Sequence, residues 1–302
     1  MIPARRFEKL DGLIAAPFTA FDRDGGLNLA AIGKQAELLL EHGVVGAYVS
    51  GTTGEGVSCS VAERKAVMEE WVRQSRGRLL IIVHVGALSL GDAQELAAHA
   101  QEIGAGATAA VPANFFKPGT VETLADYVGA IASAAPDLPF YYYHTTMSGV
   151  SLPMPRFLEA ADGRVPNLAG IKFNSPDLYE FQNSVRACGG RYDIIWGVDE
   201  SYAGAIVLGA RAAIGSTYNY AAPLYHAIRA DVAKADFEAA RAGMAKVCRI
   251  VDILFCHGGV AAGKAMMAYH GLDLGDVRLP LKALPAETKR AIVAELGDIL
   301  AG

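Results

Sequence analysis

"LLIIVHV", residues 79–85, is apolar and rich in β-branched side chains apart from His84. That composition over seven residues reads as a buried strand. On either side stand Ala-, Leu- and charge-containing stretches at helical spacing, 62–74 before it and 93–103 after it. The same alternation runs outward in both directions. Strand-like segments recur at 13–18, 46–50, 107–111, 139–143, 168–172, 192–196 and 212–215, and helical ones at 30–42 and 121–134. Parallel strands need a crossover between them, usually a helix. Eight such units point to an α/β fold, the closed (β/α)8 TIM barrel, which leaves no open edge. A doubly wound open sheet is the alternative, and the absence of GxGxxG after the first strand lowers it. Helical patterns at 223–234, 236–256, 259–269 and 286–300 suggest a C-terminal extension. The expected organisation is a barrel carrying the active site over 1–222 and a helical extension packed on it over 223–302.

The composition narrows the functional classes. The chain has 302 residues, 52% hydrophobic and 20% charged, with a net charge of −5. This is a packed globular composition. The acidic balance and the lack of a dense Lys/Arg run weigh against nucleic acid or an anionic membrane as partner. No apolar run approaches the roughly 20 residues of a membrane helix. The first twelve residues, MIPARRFEKLDG, contain two arginines and no apolar leader core. Cys59, Cys188, Cys248 and Cys256 have no CxxC spacing, so reduced thiols and a cytoplasmic location are expected. The seven histidines show no HExxH and no tight cluster, and neither GxSxG nor a Walker motif occurs.

Barrel chemistry sits in the loops after the strands. Polar clusters fall there after five of them: "SGTTGEG" (50–56), "YHTTMSGV" (143–150), Lys172, "GVDE" (197–200) and "GSTYN" (215–219). Each has a plain reading. Lys172 could mark a strand end and reach to solvent. The glycine-rich loop could cap a helix, and Asp199 and Glu200 could favour a helix dipole. Ser216 and Asn219 could be turn residues. Five clusters on one rim, around a strand-end lysine, are harder to explain that way. A desolvated lysine is a good amine nucleophile, and hydroxyls and backbone N–H groups of "GTTGEG" suit a carboxylate. Of Tyr141, Tyr142 and Tyr143, alternation puts the first and third on one face and Tyr142 on the other.

Together, "GTTGE" and "GIKF" at this spacing resemble the pyruvate-dependent class I aldolases, the dihydrodipicolinate synthase/N-acetylneuraminate lyase family. The resemblance covers nearly the whole chain. "YYYHTTMSGV", "PDLYEF", "GVDE" and "GSTYN" resemble the lyase branch. The synthase branch carries an arginine soon after its tyrosine, where this chain reads Thr145-Thr146-Met147-Ser148. The resemblance implies Lys172 as Schiff-base lysine, Tyr143 as proton shuttle and Thr52 and Thr53 as the carboxylate grip. It further implies Asn174, Gly197, Asp199, Glu200 and Ser216 as contacts to the sugar-acid chain. Two departures stand. The segment after Tyr143 is one residue short and lacks a proline, which keeps Tyr142 open as the inward tyrosine. Asn114 and Phe115 replace a tyrosine pair whose second member reaches a neighbouring subunit in many relatives.

The implied reaction is reversible aldol cleavage of a 2-keto-3-deoxy sugar acid, N-acetylneuraminate in the lyase branch, with no metal and no organic cofactor. The implied assembly is a homotetramer built as a dimer of dimers. The alternatives are dihydrodipicolinate synthase or another aldolase or dehydratase of 2-keto acids. A non-catalytic keto-acid-binding barrel is the alternative of another class.

Overall fold

The computed structural model describes residues 7–113 and 115–302; residues 1–6, with both N-terminal arginines, and Asn114 lie outside the described residues. The strands are β1 Gly12–Ala15, β2 Gly46–Val49, β3 Leu80–His84, β4 Ala107–Ala110, β5 Phe140–Thr145, β6 Leu168–Asn174, β7 Asp193–Trp196 and β8 Ala212–Gly215. They pair in sequence order, all parallel, and β1 closes on β8. The helices are α1 Ala31–Glu41, α2 Val61–Ser75, α3 Leu90–Glu102, α4 Val121–Ala132, α5 Met154–Ala161, α6 Leu178–Gly190, α7 Tyr202–Val207 and α8 Tyr218–Ala233. Beyond the repeat come α9 Phe237–Cys256, α10 Val260–Met266 and α11 Ala286–Ala301. The molecule is a (β/α)8 barrel with added C-terminal helices.

Two layers of apolar side chains hold it together. Inside the barrel, Ile14, Tyr48, Ile82, Ala109, Tyr141, Tyr143, Ile195 and Ile214 fill the centre, large beside small. Between barrel and helices, the alternate positions pack outward, among them Val49, Val83, Tyr142, Ile171 and Trp196. Helix starts are set locally. Ser60 and Glu63 form a reciprocal capping box on α2, and Ser89, Thr120, Asp177 and Asp236 cap α3, α4, α6 and α9. Each such cap is worth about 1 kcal/mol. At the N-terminal end of the barrel, Phe7 and Leu10 pack against the interior cluster. Asp193 Oδ2 accepts bonds there from the Leu10 N–H (3.0 Å) and the Tyr141 hydroxyl (3.3 Å). That end is sealed, which leaves the other end for chemistry.

Several boundaries differ from the sequence reading. β1 ends at Ala15 rather than 18 because Pro17 has no N–H for the ladder. β6 runs to Asn174 rather than 172, so Asn174 is a strand residue. The pairs Tyr143–Lys172, His144–Phe173 and Thr145–Asn174 carry β5 and β6 two residues beyond the expected ends. α8 begins at Tyr218 rather than 223. It kinks at Ala221 and restarts with Pro223 in the first turn, where a missing N–H costs little.

Candidate active site

A cavity of about 450 Å³ opens at the C-terminal end of the strands. Thr52, Thr53, Tyr143, Lys172, Asn174, Gly197, Asp199, Glu200 and Ser216 all line it. Chain segments as far apart as Thr52 and Ser216 thus converge on one space, as the barrel topology dictates.

Lys172 lies at the centre. Strand alternation turns Ile171 and Phe173 outward into the helix layer and Lys172 inward. It is 5% exposed, and its Nζ sits 4.1 Å from the Tyr143 ring centre and 4.2 Å from that of Tyr48. The two aromatic faces stabilise a cation electrostatically while keeping water away. The same alternation separates the tyrosines of β5. Tyr143 points into the barrel, whereas Tyr142 points out and packs on Phe157 of α5 at 4.8 Å between ring centres. Burial pushes the Tyr143 phenol up. The Lys172 charge, with the Thr52, Asn174 and Thr145 side chains around the hydroxyl, outweighs this and leaves its pKa lowered. Asn174 Nδ2 lies 3.4 Å from the Tyr143 hydroxyl and 3.3 Å from Thr145 Oγ1. Burial, Arg64 and Lys172 together drive His84 well below its usual pKa, so it stays neutral beside the site.

The loop after β2 presents Thr52 and Thr53. Its turn needs positive φ at Ser50 (59°) and Glu55 (51°). Gly56 has no substitute there, since a Cβ would stand 1.9 Å from the Ser50 carbonyl oxygen. The Thr19 hydroxyl donates to the Gly54 carbonyl at 2.6 Å. Glu55 points away from the cavity, and its side chain meets Lys264 Nζ of α10 at 2.9 Å and the Arg278 N–H at 2.8 Å. A conspicuous acid of the motif therefore holds the loop rather than the ligand.

Opposite lie Asp199 and Glu200, in a single turn of 3-10 helix after β7. Asp199 Oδ2 accepts from the Thr217 N–H (3.1 Å) and hydroxyl (2.7 Å). One oxygen of Asp199 is thus engaged within the protein by Thr217. Burial raises the pKa of both acids; Thr217 opposes this at Asp199 without cancelling it. Gly215 lies under Asp199, and a Cβ there would stand 1.8 Å from Asp199 Oδ1. Gly215→Ala is expected to displace Asp199 and to cost about 1–3 kcal/mol, read as a lowered thermal midpoint.

Sequence reasoning missed part of the wall. Tyr48 lies beneath Lys172, turned inward by the alternation of β2. Val251, Leu254 and Phe255 of α9, with Val260 of α10 and Met147, form an apolar side. Those helical residues carry no motif, since ordinary core spacing looks the same. Phe115 lies outside the cavity, exposed and edge-on to Phe116. Among the described residues no three His, Cys, Asp or Glu side chains come together as a metal site.

The Dihydrodipicolinate synthetase family model matches residues 9–299. The chain is 38% identical to the N-acetylneuraminate lyase of Rattus norvegicus, over 97% of this chain and 93% of the relative. It superposes on the N-acetylneuraminate lyase (sialic acid aldolase) of Aliivibrio salmonicida with a TM-score of 0.96 at 50% identity, covering 97% of this chain and 98% of that one. The Proteus mirabilis N-acetylneuraminate lyase gives 0.95 at 49% identity, over 97% and 99%. Barrel, strand-end lysine and full-length matches agree, and the chain belongs to the dihydrodipicolinate synthetase family.

Proposed function

We propose that the protein is a class I aldolase that cleaves N-acetylneuraminate to N-acetylmannosamine and pyruvate. The observation that carries this is Lys172 Nζ, buried between two tyrosine rings in a cavity lined by the Thr52 and Thr53 loop.

The neutral Lys172 amine adds to the C2 ketone; loss of water leaves a protonated imine. Thr52 and Thr53 hold the neighbouring carboxylate and aim the ketone. Tyr143 takes the proton of the C4 hydroxyl. As the C4 oxygen becomes an aldehyde, the C3–C4 bond breaks and its electron pair moves into the imine, giving an enamine. Protonation at C3 and hydrolysis then release pyruvate and the free lysine. The lowered pKa of the Tyr143 phenol raises its phenolate fraction, the form that accepts that proton.

The walls favour this substrate over its rivals. Asp199, Glu200 and Ser216 give the cavity polar groups for hydroxyls, and Val251, Leu254 and Phe255 give it an apolar part that suits an N-acyl methyl. Among the described residues no arginine lines the cavity, and Lys172 is its one basic side chain. A second carboxylate-bearing substrate, as a dihydrodipicolinate synthase needs, would meet two acids and no cation.

Borohydride reduction in the presence of pyruvate, followed by peptide mass analysis, tests the reading. An adduct on the peptide with Lys172 supports the imine route, and N-acetylneuraminate should then lead a panel of sugar acids. A folded protein with no adduct would mean a binding barrel instead. Tyr143→Phe is expected to lower kcat by about 10²- to 10⁴-fold while pyruvate trapping continues. Tyr142→Phe should leave kcat near the wild-type value, and a reversed pattern would reassign the proton shuttle.

No helix among the described residues is long and apolar enough to cross a membrane. The reading carries with it a cytoplasmic homotetramer, for which exposed Phe115, Phe116, Tyr179 and Val207 offer apolar contact surface. Sedimentation velocity would show the assembly.

A further inference from the structure

A buried chain of hydroxyls runs from the polar wall of the cavity, at Thr217, back to Tyr225. Thr217 Oγ1 lies 2.7 Å from Asp199 Oδ2 and 2.7 Å from the Tyr225 hydroxyl. A threonine has one proton to give, and a carboxylate can only accept. The order is therefore Tyr225 to Thr217 to Asp199. The Thr217 backbone N–H adds a second donor on the same carboxylate oxygen. The Tyr225 ring is itself fixed, edge-on against Tyr218 at 4.6 Å and Tyr202 at 5.3 Å. All of these side chains are buried.

A carboxylate out of water is costly unless it is hydrogen-bonded. Here the bonding is lopsided. Oδ2 takes both Thr217 donors, while Asp199 Oδ1 is buried and has no hydrogen-bond partner among the described residues. Asp199 lines the cavity, and Oδ1 lies over Gly215, itself a cavity residue. We infer that Thr217 and Tyr225 are positioning residues for the aldehyde half of the substrate. They pin one oxygen of Asp199 so that the other is presented to a sugar hydroxyl. This rests on the aldolase reading above and adds to it two residues that act through Asp199.

The charged and titratable groups around Asp199 are Lys172 from β6, Glu200 in its own turn, and Tyr218, Tyr220 and Tyr225 from α8. The Tyr218 side chain and the Lys172 charge also favour the ionised carboxylate, but the two Thr217 bonds do so more strongly. Losing them raises the Asp199 pKa further, so the acid limb of the kcat/KM profile should move to higher pH.

Thr217→Val, Thr217→Ser and Tyr225→Phe test this, with N-acetylneuraminate cleavage and pyruvate–borohydride trapping measured side by side. Thr217→Val keeps the shape and removes the hydroxyl. Its kcat/KM for cleavage is expected to fall about 10- to 100-fold, the worth of a hydrogen bond to a charged group, with trapping at Lys172 at the wild-type rate. Thr217→Ser should recover most of the loss, and Tyr225→Phe should lose less than Thr217→Val. Unchanged kcat/KM in Thr217→Val overturns the inference alone. So does a loss shared equally by trapping, or one that serine fails to restore, since either marks a structural role. A wild-type protein that traps no pyruvate overturns the aldolase reading and this inference with it.

Discussion

Lys172→Ala is expected to lower kcat/KM for N-acetylneuraminate by about ten-thousand-fold or more, the scale on which nucleophile deletions act. The size follows from what the amine does. Without the imine there is no electron sink for the C3–C4 bond, and no other lysine or arginine among the described residues lines the cavity to take over. Lys172→Arg should do no better, because guanidinium stays charged and cannot add to a ketone. The fold should survive both changes. Nζ is held by the faces of Tyr48 and Tyr143 rather than by an acid, so its removal strands no buried carboxylate. Stopped assays with thermal unfolding of the same samples check this. A Lys172→Ala enzyme that cleaves at the wild-type rate would end the imine mechanism for this protein.

The largest effect on stability is expected at Glu55 and Lys264. Their side chains are 1% and 2% exposed and 2.9 Å apart, joining the loop after β2 to α10 across 209 residues of sequence. Glu55 also accepts from the Arg278 N–H, and Lys264 also donates to the Asp276 carbonyl. Lys264 and the Arg278 guanidinium lie over the Phe21 ring, each at 4.2 Å. Burial pulls the Lys264 pKa down and Glu55 pulls it back up, without full recovery. Glu55→Ala leaves that ammonium buried without its carboxylate. Breaking such a pair costs about 3–5 kcal/mol, and the thermal midpoint should fall by roughly 10 °C. The double change Glu55→Leu with Lys264→Met should recover part of the loss, since an apolar pair carries no stranded charge. It will not recover all of it, because the Arg278 N–H loses its acceptor. The loop that Glu55 anchors carries Thr52 and Thr53, so the single variant should also raise KM for pyruvate in the synthetic direction. Calorimetry and initial-rate kinetics on the three proteins separate the two effects. Equal midpoints for Glu55→Ala and wild type would mean the ion pair is energetically idle.

The order of elements was legible in the chain. Eight β-rich runs separated by helical ones specify parallel strands with crossovers, and closure follows because an open sheet of that make-up would expose an edge. The rim was legible too, since strand ends are local and "GTTGEG", Lys172, "GVDE" and "GSTYN" each follow one. What the chain could not decide is which way a strand faces. Period-two alternation groups Tyr141 with Tyr143 against Tyr142, but it is symmetric under exchange of inside and outside. Closure of the barrel breaks that symmetry, with Tyr142 on Phe157 and Tyr143 beside Lys172. The division of labour among the acids was equally hidden. Glu55 and Asp199 sit in similar polar loops, and only the fold turns Glu55 onto Lys264 and leaves Asp199 lining the cavity. The apolar wall from α9 was hidden for the same reason. A helix that lines a cavity and a helix that packs a core share one spacing, and the fold alone determines which surface they meet.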